Sequence, residues 1–212
     1  MGYNLYALQT TTIGKGNNMK SNKLLTAGAS VLAVATLFSG CAGVTHEPKV
    51  DMDKLAVVTE DDFYAALTKI DIKDSNIEAM EDTSFSFNDD DTDFEVEYNI
   101  DAYADNENYY SYTRCADEAT AKALFQYYYD DYKYLFDSKD FSGIQSHEIG
   151  DNTGYLLIDG RYDDKNSGTY TPYHDAIFLK GDTVIFAMAS DYDLSIEKEV
   201  NTFLDALGYP HP

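Results

Sequence analysis

The chain predicts an α+β fold: an antiparallel sheet of about five to six strands with about three helices packed on one face, in two layers. Three observations carry this expectation. Apolar residues recur at helical spacing around residues 63–70, 121–135 and 196–207. Between them lie short runs rich in Val, Ile, Tyr and Phe that read as strands. The strand candidates are joined by connections of a few residues, which suit antiparallel neighbours, and one-sided helices cover one apolar face of such a sheet.

The first helix opens at Thr59-Glu60-Asp61-Asp62, a capping-box pattern with Asp62 in place of the usual Glu or Gln. Phe63, Ala66, Leu67 and Ile70 follow at i, i+3, i+4 and i+7 and define its apolar face. Residues 71 to 92 carry no clear period, and Asn88-Asp89-Asp90-Asp91 reads as a loop. From Phe94 to Ala102 the alternation is strict: Phe94, Val96, Tyr98, Ile100 and Ala102 against Glu95, Glu97, Asn99 and Asp101. That pattern predicts a strand with one apolar and one acidic face. A turn at Asp105–Asn108 leads into a second strand, Tyr109 to Cys115.

Asp117-Glu118 places negative charge at the start of the longest helix. Its stripe is Ala121, Leu124, Phe125, Tyr128, Tyr132 and Leu135. Further strands are expected at Phe141–Ile149 and Gly154–Ile158. Ala176–Leu179 and Thr183–Ala189 flank a hairpin turn, Lys180-Gly181-Asp182. The last helix carries Ile196, Val200, Phe203, Leu204 and Leu207 and stops at Gly208.

Ahead of this domain lies "LLTAGASVLAVATLFSGCAG", residues 24 to 43. Lys20 and Lys23 precede an uncharged run from Leu24 to Phe38, the layout of an export signal. Roughly 20 apolar residues are needed to span a bilayer, and this run is shorter. Leu37-Phe38-Ser39-Gly40-Cys41 resembles the lipobox of bacterial lipoproteins, with Phe38 standing where that family usually has Leu, Val or Ile. The resemblance implies a diacylglycerol thioether on Cys41 and cleavage between Gly40 and Cys41 by signal peptidase II. It also implies an extracytoplasmic position, anchored to the cell membrane. The layout as a whole resembles the small lipoproteins that Gram-positive bacteria display at the cell surface, and no catalytic residues come with that resemblance.

The organisation read from these signals is an upstream extension over 1–18, a signal peptide over 19–40, a tether over 41–58 and one globular domain over 59–212. The extension holds one Lys where a signal should begin with positive charge, and Met19-Lys20-Ser21-Asn22-Lys23 looks like a proper start. The Lys15-Gly16 codons, AAR-GGN, resemble a ribosome-binding sequence just upstream of it. The tether is polar, and about eighteen flexible residues span roughly 25 Å.

Residues 41 to 212 hold all 38 acidic residues against 12 basic ones, a formal charge of −26. Such a balance argues against nucleic-acid binding, which rests on Lys and Arg neutralising phosphates, and against electrostatic adhesion to anionic lipid. Membrane attachment must then come from the acyl chains, and two suffice for stable anchoring.

With Cys41 lipidated, Cys115 is the one remaining thiol, so no internal disulfide forms and the core alone holds the fold. Cys115 reads as a buried structural residue. A thiol nucleophile would need a nearby histidine and an oxyanion site, which linear sequence does not display.

No cofactor, catalytic set or metal-ligand set is read from the sequence. Asp89-Asp90-Asp91-Thr92-Asp93 begins like a calcium loop, but Phe94 and Ile100 occupy the positions where an EF-hand has Gly and Glu. His147-Glu148 and His174-Asp175 are sequence neighbours that point to opposite faces on strands. No H-E-x-x-H, C-x-x-C or G-x-S-x-G occurs.

The 19 tyrosines and absence of Trp leave two readings: tyrosines packed between layers, or a recognition surface. The function expected is therefore a membrane-anchored, non-catalytic binding domain whose partner is a basic protein or a wall glycan. The alternative is a hydrolase or metal-dependent enzyme whose site assembles in space.

Overall fold

The computed structural model describes residues 50–86, 93–105, 108–136, 138–189 and 194–212. Three helices, α1 (Glu60–Lys69), α2 (Glu118–Phe136) and α3 (Leu194–Leu207), accompany seven strands. The strands are β1 (Ile77–Ser86), β2 (Asp93–Tyr103), β3 (Tyr109–Cys115), β4 (Phe141–Ile149), β5 (Thr153–Asp164), β6 (Thr169–Lys180) and β7 (Thr183–Met188). They form one antiparallel sheet in the order β1-β2-β3-β7-β6-β5-β4. Two meanders, β1–β3 and β4–β7, are joined edge to edge by the β3–β7 pairing, and α2 makes the crossover between them.

The helix ends follow from local chemistry. Asp62 N–H donates to Thr59 Oγ1 at 3.2 Å while Thr59 N–H donates to Asp62 Oδ2 at 3.0 Å, so aspartate closes the capping box of α1. Asp117 Oδ1 accepts from Thr120 N–H at 2.7 Å and caps α2. Gly208, at φ 73°, ends α3: its N–H donates to the Asp205 carbonyl and that of Tyr209 to the Leu204 carbonyl. This Schellman pairing satisfies the last free carbonyls.

The expected two layers are three. α1 and α3 pack together on one face, where Phe63, Leu67, Phe203 and Leu204 meet Ile100, Tyr110, Tyr112, Tyr155, Leu157, Phe178 and Ile185. On the other face α2 buries Leu124, Phe125, Tyr128, Tyr132 and Leu135 against Val96, Leu156, Ile158, Ile177, Leu179, Val184 and Phe186. Consecutive apolar residues such as Tyr155–Ile158 and Ala176–Leu179 are buried on both sides, and a sheet built from such runs requires cover on both faces. The strand count rises to seven because β1 forms within the stretch that showed no period.

The face switch within β2 explains a second departure. Phe94 and Val96 face α2, whereas Tyr98, Ile100 and Ala102 face α1 and α3. Pairing with β3 shifts by one residue between Val96 and Tyr98, a bulge at Glu97. One extra residue in a period-2 strand moves every later side chain to the opposite face. Asn99 and Asp101, expected on a solvated acidic face, are therefore buried beneath the α2 layer.

Leu55 and Val58 are also buried, and the Tyr209 hydroxyl donates to the Ala56 carbonyl at 2.8 Å. Packing against the α1–α3 layer thus begins before α1, within the stretch read as a tether.

Candidate functional site

At the bulge, β1 and β2 distort together. Asp82 lies opposite Glu97 at φ 47°, a left-handed conformation that costs a non-glycine residue on the order of 1 kcal/mol. The distorted pair borders an open groove of about 310 Å³ lined by Asp82, Thr83, Ser84, Glu95, Val96, Glu97 and Ala116. Three carboxylates and two hydroxyls line it, and neither Lys nor Arg is among the lining residues. At its margin Arg114 reaches Glu97 Oε2 through Nε at 3.3 Å and Glu60 Oε1 through Nη1 at 2.5 Å.

Asp101 does not contribute to this surface. It is buried beside Asn99, accepting from Asn99 Nδ2 at 2.8 Å and from the Tyr109 hydroxyl at 2.6 Å. Burial raises its carboxyl above the usual range against the opposing pull of these donors.

The sequence neighbours His174 and Asp175 do point to opposite layers. His174 is 5% exposed, on the α3 side. Its Nδ1 lies 3.2 Å from Asp159 Oδ1 on β5, and its Nε2 lies 2.9 Å from Asn201 Oδ1 on α3. Burial disfavours the charged ring, but hydrogen bonds to Asp159 and Asn201 and the charges of Asp159 and Glu197 outweigh it, so His174 is raised overall. Asp175, 2% exposed, faces α2 and accepts the Tyr132 hydroxyl at 2.8 Å through Oδ2. Its Oδ1 has no hydrogen-bond partner among the described residues. Burial pushes Asp175 up to about 7, against the Tyr132 hydrogen bond and the positive charge of His174.

The other sequence candidates are not brought together. His147 sits on the edge strand β4, stacked on Phe136 at 4.7 Å and within 3.2 Å of the Tyr129 hydroxyl. His211 pairs with Asp205 at 2.9 Å near the end of α3. Cys115 is buried, and desolvation, helped by the charges of Asp182 and Asp117, pushes its thiol up to about 12. A thiol so placed is a weak nucleophile. Cys41, His46 and the Asn88–Asp91 loop lie outside the described residues. Among the described residues no cluster of three or more His, Cys, Asp or Glu could hold a metal ion.

The tyrosines serve the layers more than the surface. Tyr128 and Tyr132 are buried as their stripe predicts, and Tyr110 and Tyr112 anchor the opposite layer, with Tyr110 4.5 Å from Phe203. Tyr170 and Tyr134, at 58% and 55%, and Tyr103 are the exposed ones among the described residues, and the Tyr134 hydroxyl lies 2.6 Å from that of Tyr173. Sequence reasoning missed the groove and the partners of His174. The groove depends on a bulge inside a perfect alternation, and Asp159 and Asn201 come from different elements.

No family model matches the chain, and no curated protein matches it. Among solved structures it is similar to the extracellular domain of PknH from Mycobacterium tuberculosis. That likeness has 10% identity and a TM-score of 0.26, covering 77% of this chain and 99% of the other. We draw no function from a likeness at that level. No helix among the described residues is long and apolar enough to cross a membrane.

Proposed function

We propose that the chain is an extracytoplasmic lipoprotein, held to the cell membrane by a diacylglycerol on Cys41, whose domain binds a cationic partner without chemistry. The observation that carries the binding reading is the open groove at the β1–β2 distortion, lined by Asp82, Glu95 and Glu97, of which Glu97 is met by Arg114 at the margin. Elsewhere many of the basic side chains are already engaged: Lys54, Lys73, Lys122, Lys133, Arg161 and Lys165 each pair with a carboxylate, and Arg114, at the groove margin, is shared between Glu60 and Glu97. The surplus negative charge must be met by solvent ions or by a partner. Complementary charge of this kind speeds encounter and makes it salt-sensitive. The lipobox resemblance supports the anchor, and a tether shortened by the packing of Leu55 and Val58 keeps the groove near the membrane.

The test is binding of a fluorescent octalysine peptide to the full chain in detergent, by anisotropy at low and at physiological ionic strength. Neutralising the groove together, Asp82→Asn, Glu95→Gln and Glu97→Gln, is expected to weaken binding about tenfold, or ~1.4 kcal/mol. Neutralising three carboxylates elsewhere, Asp130, Asp151 and Asp205, should change it little. Equal loss from both sets would show that the charge acts diffusely and that the groove is no site.

A further inference from the structure

We propose that His174 and Asp175 form a two-sided, proton-dependent latch on β6: the protonated pair pins α3 through Asn201 on one face and α2 through Tyr132 on the other, and proton loss loosens both helices.

The geometry is specific to this position. Successive strand residues face opposite layers, and here each of two consecutive residues is titratable, buried and hydrogen-bonded to a different helix. Both ring nitrogens of His174 lie within hydrogen-bond distance of Asp159 Oδ1 and Asn201 Oδ1, and with the Asn201 amide in this orientation the doubly protonated imidazolium donates to both. On the other face Asp175 has one oxygen supplied by Tyr132 and one without a partner among the described residues. Tyr132, the charge of His174 and the backbone N–H groups of His174 and Ala189 favour the carboxylate, but complete burial outweighs them, so the neutral acid is the form that fits under α2. Two residue pairings further across the sheet, Gln145 Oε1 is a second buried acceptor without a partner among the described residues, across Ile158 from Asp175.

The charged groups around His174 favour its protonated form, whereas the charge of His174 itself works against protonation of Asp175. Around His174 stand Asp159 from β5 and Glu197 from α3, both favouring the cation. Around Asp175 stand Tyr132 and Tyr134 from α2 and Tyr173 from β6. No cation among the described residues of α2 acts on Asp175 to hold it ionised. Among the described residues His174 is the one positive charge acting on Asp175, and losing its proton removes that support.

The sign of the pH effect is the same for both groups. Asp175 rises from 3.8 to about 7 on folding, so its contribution is complete below about 4 and is lost as pH climbs toward 7. His174 is raised above 6.5, so its contribution is present below that value and is lost as pH rises through its folded value. α2 should therefore loosen as pH climbs from about 4 to about 7, and α3 as pH rises from about 6.5 through the folded value of His174.

Hydrogen exchange on the full chain in detergent micelles, corrected for intrinsic exchange, tests this between about pH 5 and about pH 8. The expected result is that opening of α2 around residues 128–136, and of α3, increases at least tenfold over that range while the β2–β3 hairpin changes little. Asp175→Asn should flatten the response of α2 and leave that of α3, and His174→Gln should do the converse. Constant protection of both helices in the unmodified chain overturns the latch, and that measurement decides the matter if either variant fails to fold. A uniform change across the whole domain, or an Asp175→Asn chain that keeps the α2 response, overturns it equally.

Discussion

A thiol that reacts only when the protein opens is the sharpest expectation for the chemistry of this domain. Cys115 ends β3 beneath α2, 1% exposed, beside the charges of Asp182 and Asp117. Burial moves its thiol from an ordinary 9.0 up to about 12. At about pH 8 a thiol at the ordinary value is roughly one-tenth ionised, whereas one at about 12 is ionised about once in ten thousand, so the reactive fraction falls about a thousandfold. Shielding by the α2 layer slows attack further. The assay is labelling by an aromatic disulfide reagent on the full chain carrying Cys41→Ser, which leaves Cys115 as the one thiol. Native protein should label at least a thousandfold more slowly than the same protein in denaturant. Fast native labelling would refute the packing of α2 over β3. A hydrolytic activity lost in Cys115→Ala would refute the non-catalytic reading as well.

Other expectations follow from backbone and cap geometry. Gly160→Ala places a Cβ 2.5 Å from the Ser142 carbonyl oxygen and 2.7 Å from Gly143 Cα, backbone atoms that cannot step aside. It should destabilise by about 1–3 kcal/mol in urea melts; an unchanged midpoint would mean that β4 and β5 do not pair in this register. Asp62→Ala removes half of the α1 capping box and should cost about 1 kcal/mol in the same melts. Phe203→Ala empties the space between Phe63, at 5.3 Å, and Tyr110, and should cost about 3–5 kcal/mol.

The helices were legible because their faces are periodic and their ends carry caps. All six residues of the α2 stripe are buried, and Thr59, Asp117 and Gly208 mark boundaries that lie within a residue of those observed. β1 was not legible: Ile77–Ser86 reads I-E-A-M-E-D-T-S-F-S, and the distortion at Asp82 breaks the period that would have announced a strand. In β2 the opposite happened. Its alternation is perfect in the sequence, but the bulge at Glu97 sends its two halves to different layers, so Asp101 is buried while Glu95 and Glu97 line the groove. The third layer left a trace in the doubly apolar runs of β5, β6 and β7, which is how strands covered on both faces read. The His174 site left none, because Asp159, Asn201 and Tyr132 reach β6 from three other elements.

The anchor is tested most directly by metabolic labelling with a radioactive fatty acid in a bacterial host that processes lipoproteins. The account predicts label on the unmodified chain and none on Cys41→Ser, because that substitution removes the one sulfur placed to receive the diacylglycerol. Label that persists on the Cys41→Ser chain, or an unmodified chain that never acquires it, would contradict the account.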